Sequence, residues 1–533
     1  MSHRNLLVMM IVPVVIALML AASIVTAQAT DPMSLSVIQP PGDSLAAPAL
    51  GANGAYTVYV PLVSRSTAAA VTPAPTAKPT STAKATSTST PTQTGTPRTA
   101  TPTATRTATP TPTQTTTPPT PPGTEGALFL NRTKKTDSAS AAVDANGGFH
   151  LAYAAYVPFV EGCPAYYAYC AANCGTESSW GKVSLSDRVE EVQLALTTAG
   201  HPRLLLRGKN ADYDTQFQYA ACDVNCTNRA NWTIADVATS TYSPVYVNSY
   251  AGHRYFALDN LDRPRFLYRK TIDDPYYVYC DTACTNAANW WQYPINAAMF
   301  SDPANLPTLT FTSAGQPRIT AVVMGDPTSP DYLTYIACDT GCDNPASWTY
   351  TALMERGSGH VSSALRFNSN GQPRLVFNQG SINSGPAGYL WYWWCNTGCT
   401  NGANWHGSSV GGPGQAEDPD LALDALNRPR IAFRSNSPDD GLGYAWCDTG
   451  CESSSATWQG GLVEPSSDLD VEWPIVPPIG CSSSYWYGGY RPSLALDAAG
   501  NPRIGYVAQH LHGGGCTVAE DYRAVRFAFF NQP

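Results

Sequence analysis

A tight turn followed by Pro-Arg returns six times along this chain. The copies are Gly200-His-Pro-Arg203, Asp262-Arg-Pro-Arg265, Gly315-Gln-Pro-Arg318, Gly371-Gln-Pro-Arg374, Asn427-Arg-Pro-Arg430 and Gly500-Asn-Pro-Arg503. Gly147-Gly-Phe-His150 is a degenerate first copy. From Phe149 through the marker prolines the spacing runs from 53 to 73 residues. Self-similarity at such a period marks a repeat fold, in which no unit can bury its apolar face alone.

Each unit has one internal grammar. A short alternating run such as Asp420-Leu-Ala-Leu-Asp424 precedes the turn, and an apolar run such as Arg430-Ile-Ala-Phe433 follows it. A third run carries Tyr three positions before a Cys (Tyr167, Tyr219, Tyr277, Tyr335, Tyr392, Tyr444). After Cys-x-x-x-Cys, a fourth run opens at Trp180, Trp232, Trp290, Trp348, Trp405 or Trp458. Four short apolar runs bounded by turn residues read as four strands, and none of the repeats shows helical periodicity. Four-stranded units repeated radially are the blades of a β-propeller. The seventh unit ends in Val525-Arg-Phe-Ala-Phe-Phe530 without a Trp-type fourth run, while Ala127-Leu-Phe-Leu-Asn131 precedes the first unit as an orphan. Placing that orphan in the last blade closes the ring and removes two sheet edges. The reading is an all-β, seven-bladed propeller over residues 125–533.

The cysteines agree with this layout. Six pairs stand four apart: Cys170/Cys174, Cys222/Cys226, Cys280/Cys284, Cys338/Cys342, Cys395/Cys399 and Cys447/Cys451. In extended chain such a pair would lie about 13 Å apart, beyond the ~7 Å limit for a disulfide, so each pair closes only around a tight hairpin. A structural zinc needs four ligands, and separate two-Cys groups do not supply them. Cys163, Cys481 and Cys516 remain. The unit shared by Cys481 and Cys516 favours that pair.

The N-terminal part has a different character. Arg4, the apolar run Leu6–Ala22 and Ala27-Gln28-Ala29 read as a secretory signal over residues 1–29, with an uncleaved anchor as the alternative. Residues 30–63 form a short segment with one strand-like run. Residues 64–124 are a Thr/Pro-rich linker with almost nothing to bury, expected as a disordered stalk, either O-glycosylated or without sugar. A signal together with paired cysteines points to an oxidising, extracellular or cell-surface setting. Only 13% of residues are charged and the net charge is −9, which excludes a nucleic-acid binder relying on a basic surface. The chain is expected to be a monomer that meets an extracellular glycan or protein.

In a symmetric ring the repeated residues are scaffold, and function falls where the symmetry breaks. The marker arginines are therefore expected to bond a neighbouring strand or the Asp ending the previous run (Asp259, Asp424, Asp497). At the position of Leu494 the units carry apolar residues for inter-blade packing, and beside it mostly Ala, with Arg366 and Thr310 as exceptions. The starts of the first runs differ most: Asp137, Glu190-Glu191, His253, Asn305, His360, Glu417-Asp418-Pro-Asp420 and Tyr490-Arg491. These should ring one channel mouth, with His253, His360, Arg366, Asp420 and Arg491 as ligand contacts. Aromatic excess in Trp391-Tyr392-Trp393-Trp394 and around Trp486 adds Trp391, Trp393 and Trp486 as faces for stacking on sugar. His510-Leu-His512 is a weak metal candidate, and Asp273-Asp274, Asp439-Asp440 and Asp468-Leu-Asp470 are weak calcium candidates. No other cofactor is expected.

The unit Asp497-Ala-Ala-Gly500-Asn-Pro-Arg503-Ile-Gly-Tyr506 resembles those of secreted bacterial seven-bladed propellers, loosely related to sialidase-like and lectin-like propellers. The resemblance extends from residue 125 to the end. It implies the architecture and a bacterial, exported protein, without a catalytic motif. Sialidases carry Ser-x-Asp-x-Gly-x-x-Trp boxes, which this chain lacks. The expected function is a binding module for carbohydrate or another extracellular ligand. One alternative is a propeller glycoside hydrolase or lyase using Glu190, Glu191, Asp418 and Asp420. The other is a structural surface protein.

Overall fold

The computed structural model describes residues 126–531, apart from 133–135, 156–163, 213, 241–253, 271–274, 296–306, 324–329, 356–360, 380–388, 411–415, 437–439, 478–480, 482 and 514–521. Seven separate four-stranded antiparallel sheets account for every described strand, and six of them are simple meanders. Blade one comprises β2 (Thr136–Val143), β3 (Phe149–Ala155), β4 (Ala165–Cys170) and β5 (Gly181–Ser186), and blades two to six repeat that order. The innermost strands of the later blades are β6 (Val189–Leu196), β10 (Phe256–Leu258), β14 (Thr308–Phe311), β18 (Ser363–Phe367), β22 (Ala416–Leu423) and β26 (Ser483–Leu496). Each packs against the next, and β26 packs against β2, so the ring is closed.

Closure is made by the expected segment. In blade seven, β26, β27 (Pro502–Gly513) and β28 (Tyr522–Phe529) are followed in space by β1 (Gly126–Asn131), the first described strand of the chain. The register pairs Ala127 with Ala528 and Leu128 with Phe527. The edge that β28 would otherwise leave bare is thus paired.

The repeated residues hold each blade and join it to the next. The marker arginine lies inside a hairpin end: Nη1 of Arg430 donates to the carbonyls of Pro429 and Cys447, and Nη2 to Asp424 and Asp448. Arg265 makes the same set with Asp259 and Asp281, and Arg503 reaches Asp497 at 2.7 Å. The expected bond to the preceding Asp is therefore present at all three positions. In blade one His150 replaces the arginine and spans Asp144 at 3.2 Å and the Tyr167 hydroxyl at 2.7 Å. Five of the turns need a left-handed residue supplied by Gly (Gly147, Gly200, Gly315, Gly371, Gly500; φ between 72° and 84°). Asp262 and Asn427 take the same conformation in the other two, as short polar side chains tolerate.

Blade-to-blade joints use one aromatic contact. The Tyr before each first Cys meets the next blade's Trp edge-on: Tyr167–Trp232 at 5.1 Å, Tyr277–Trp348 at 5.4 Å and Tyr392–Trp458 at 5.2 Å between ring centres. Around the closing blade phenylalanines substitute, as Tyr444–Phe530 at 5.0 Å and Phe527–Trp180 at 5.2 Å. The first five of the six tryptophans also donate to the second cysteine's carbonyl, as Trp290 does to Cys284 at 2.8 Å and Trp405 to Cys399 at 2.9 Å. Trp458 follows its cysteine by one residue more and bonds Ser408 instead.

All six pairs read from the spacing are disulfides: Cys170–Cys174, Cys222–Cys226, Cys280–Cys284, Cys338–Cys342, Cys395–Cys399 and Cys447–Cys451. Their Cα separations of 5.7–5.8 Å are those of a tight hairpin and fall inside the bridging limit. In each pair the first cysteine stands at the end of the third strand or one residue past it, and is buried. The second (Cys174, Cys226, Cys284, Cys342, Cys399, Cys451) lies in the turn and is half-buried. Cys481 is also disulfide-bonded; Cys163 and Cys516, and so the identity of its partner, lie outside the described residues. Among the described residues, five three-residue 3-10 turns follow the disulfide hairpins of blades one to five, and one α-helix departs from the all-strand expectation. Ser466–Glu472, in the insert before blade seven, forms a short helix, α1, that buries Leu469. Seven residues are too few for a helical period to show in the sequence.

Candidate functional site

Strand direction gives the ring two unlike ends. Marker turns and disulfide hairpins share one end. The other carries the connections between blades and between second and third strands, which range from Asp187-Arg188 alone to residues 466–482. The innermost strands begin at this second end, so the charged residues at their starts surround the axis there. His253, His360, Asn305 and the side chain of Asp137 lie outside the described residues, as do Asp273, Asp274 and Asp439.

An innermost strand is also a sheet edge whose N–H groups need partners. The sequence supplies them from the preceding blade. Ser138 and Ser140 of blade one accept from the Val192 and Leu194 amides at 3.0 Å. Ser493 of blade seven accepts from Ala141 at 2.9 Å. In blade six the residue at this position is Asp420, which accepts from the Leu494 amide at 2.8 Å and from its own neighbour Leu421 at 2.9 Å. A carboxylate in a serine's place has spare acceptor capacity, and two arginines take it. Arg366 of blade five donates to Oδ1 at 2.9 Å, and Arg254, just before β10 in blade three, donates to Oδ2. Arg254 also reaches the Ser493 hydroxyl at 3.1 Å and the Leu494 carbonyl at 3.2 Å. Asp420 is 2% exposed and both arginines are mostly buried.

Nearer the mouth lies a second group. Asp418 and Arg491 stand three residues before Leu421 and Leu494, and both have left-handed backbones (φ 49° and 50°) within register shifts of their strands. Such shifts re-aim side chains, and a non-glycine residue held at positive φ often marks a functional position. Asp418 is fully buried; the Arg491 backbone N–H donates to its carboxylate, and Oδ2 has no hydrogen-bond partner among the described residues. Burial and the charge of Glu417 push its carboxyl well above the usual range, with Arg491 and Arg434 opposing. Glu417 pairs with Arg434 at 2.9 Å, and that guanidinium lies 3.7 Å over the Tyr490 ring. On the blade-two side, Glu191 pairs with Arg207 at 2.9 Å and accepts from Gln193 at 3.2 Å. Tyr255 is buried beside Glu191, and burial together with that charge raises its hydroxyl well above the ordinary value. Glu190 alternates to the other side of β6 and is half-buried.

Of the residues singled out in the sequence, Glu191, Asp418, Asp420, Arg366 and Arg491 gather around the axis. The aromatic candidates do not. Trp486 is 1% exposed, packed on Phe129 and Trp473 with its indole N–H on the Trp473 carbonyl, so it offers no free face. Trp391 and Trp393 are half-buried against the blade-four and blade-five core. The insert and the aromatic run fill inter-blade gaps, which composition alone cannot tell from an open platform. Among the described residues the exposed large aromatics are Trp291, Tyr350, Tyr389 and Tyr485. His510 bonds Ser484 at 2.9 Å and its ring lies 4.9 Å from that of His512. Among the described residues no three metal-ligating side chains come together.

Sequence reasoning passed over Arg254, Tyr255, Arg207, Arg434 and Ser493. Arg207 and Arg434 each stand four residues after a marker arginine (Arg203, Arg430), a second series visible in the sequence but absorbed into the first.

The sequence matches no family model and no curated protein. Solved structures share the general shape. An ulvan lyase of polysaccharide lyase family PL25 is 10% identical, with 77% of this chain and 95% of that one aligned at a TM-score of 0.46. The GH93 α-L-arabinofuranosidase of Fusarium graminearum is 10% identical over 76% of this chain and 98% of its own, with a TM-score of 0.37. The propeller domain of the Trilobed protease from Pyrococcus furiosus is 6% identical over 76% and 94%, also at 0.37. Likenesses this distant carry no chemistry across, and the seven-bladed ring stands on this chain's own strand order.

Proposed function

We propose that this protein is an extracellular binding module that recognises carbohydrate at the mouth of its propeller channel. Six short disulfides fit an oxidising compartment. The observation that carries the binding reading is the commitment of the mouth's acids. Asp420 is held by two arginines and two amides, Glu191 by Arg207 and Glu417 by Arg434. A two-carboxylate hydrolase needs one acid and one available base or nucleophile, and these three are tied as ion pairs. They preorganise a polar, rigid surface, as recognition of a hydroxyl-rich ligand requires.

One observation favours the hydrolase or lyase alternative. Asp418 is a carboxyl whose proton affinity burial raises, with one oxygen lacking a partner among the described residues, which is the equipment of a general acid. A glycan array probed with the full chain separates the two readings. Specific retention without product supports binding. Release of reducing ends or unsaturated sugars, abolished by Asp418→Asn, supports the enzyme. Neither retention nor product removes both.

A further inference from the structure

We infer that the floor of the channel mouth is a receptor for an oxyanion, a carboxylate or sulfate carried on a saccharide, gripped by Arg254 and Arg366. This deepens the binding reading above and rests on it for the saccharide. The first observation is topological. Arg254 belongs to blade three, and its guanidinium contacts Asp420 of blade six and Ser493 of blade seven. In a ring of seven those blades are the farthest from blade three, so the side chain lies across the axis. At this depth the lumen has a floor, and the floor is a cation.

The second observation is charge. Two guanidiniums share one buried carboxylate, which leaves one positive charge in excess where water is scarce. The other mouth acids offset it little, because Glu191 and Glu417 have their own arginines and burial disfavours the charged form of Asp418. The Arg366 guanidinium itself is pulled down to about 10 by burial and by Arg254, against the pull of Asp420. An arriving anion relieves that strain and is bound more strongly than it would be in bulk water.

The third observation is donor geometry. All three hydrogen bonds of the Arg254 side chain use Nη2, and those of Arg366 use Nη1 and Nη2. Nε and Nη1 of Arg254 and Nε of Arg366 therefore keep N–H groups without an acceptor among the described residues. The two side chains retain 27% and 20% of their exposure. Each free N–H offers a charge-assisted hydrogen bond to an oxygen of a carboxylate or sulfate.

The test uses the full chain. Thermal unfolding is followed while sodium sulfate, or separately sodium acetate, replaces sodium chloride at constant ionic strength, for wild type, Arg254→Gln and Arg366→Gln. Sulfate stabilises proteins generally, so the readout is the difference between wild type and variants. The expected result is an additional rise of about 2 °C in wild type at ten times the dissociation constant, absent from both variants. Equal rises in all three proteins overturn the anion site. Arg366→Gln leaves the Arg254–Asp420 contact in place and keeps the comparison decisive should Arg254→Gln fail to fold. A second arm measures binding of polygalacturonate, carrageenan and dextran. Retention of one or both acidic polymers, weakened at least tenfold by Arg366→Gln, with dextran unbound, upholds the proposal and says which oxyanion is preferred. Dextran binding that Arg366→Gln leaves unchanged overturns the oxyanion inference and leaves the carbohydrate module standing. An arginine-dependent sulfate response with no polymer retained overturns the saccharide and upholds the anion site alone.

Discussion

Asp420 shows how one residue converts scaffold into site. Ser140 and Ser493, at the equivalent positions, each satisfy a neighbouring edge amide, and the Ser493 hydroxyl also accepts from Arg254. Asp420 does the same for Leu494 and still has oxygens for two arginines. Asp418, three residues from Leu421, has the opposite character: a buried carboxyl pushed upward, first by burial and then by Glu417. Its folded form binds a proton that the unfolded chain has already released. Stability therefore falls as pH rises from the ordinary carboxylate range toward the raised value in the fold. Asp418→Asn should remove that decline, so that variant and wild type converge in acid and the variant is the more stable at neutral pH. Urea unfolding at several pH values checks this. Arg430 tests the scaffold. It is 1% exposed and joins two carbonyls with Asp424 and Asp448, so Arg430→Ala should cost about 3 kcal/mol in chemical denaturation.

At the scale of an element, the hairpin between third and fourth strands is the most repeated device. A disulfide spans its five residues, an Asn caps the short turn that follows in blades two to five, and Trp closes onto the second cysteine's carbonyl. So small a loop loses little entropy on closure, and the disulfide is worth about 2 kcal/mol in the chain-entropy model. Cys338→Ser with Cys342→Ser should lower stability by about that amount while leaving the ring intact, as read from denaturation midpoints and circular dichroism. A much larger loss would mean that closing this blade-four hairpin also sets the Tyr335–Trp405 contact, at 5.1 Å, with blade five. The innermost strands behave differently. Their ends away from the mouth are regular, but β2, β6, β22 and β26 shift register near it, and in the last two Asp418 and Arg491 lie within the shift.

At the scale of the whole molecule, stability depends on closure. Blade seven takes its outermost strand, β1, from the other end of the propeller sequence. Its Phe129 lies in the core with Trp486 and beneath the Arg526 guanidinium. Removing residues 126–131 should expose the β28 edge and leave an apolar trough. The expected outcome is loss of cooperative unfolding and self-association through the bared edge, measured by calorimetry and light scattering. A monomer that melts like the full chain would show that the aromatic contacts between neighbouring blades suffice.

The architecture was legible in the sequence because it rests on local rules repeated many times. Turn, Pro-Arg, Tyr, Cys pair and Trp recur in step, and the orphan strand at Ala127–Asn131 could be placed because one blade lacked a fourth run. The acids and arginines at the strand starts could be assigned to the mouth on the same grounds. Their pairing could not. Arg254 meets Asp420 across 166 residues, and Arg366 meets it across 54. Which guanidinium faces which carboxylate depends on strand register and on local shifts at the strand starts, which have no periodic signature. The aromatic run at Trp391–Trp394 and the insert around Trp486 read as open surface, yet both are packing, because burial is decided by what the neighbouring blade brings against a side chain. Periodic sequence determined the ring, and the contacts across its axis were left to the tertiary structure.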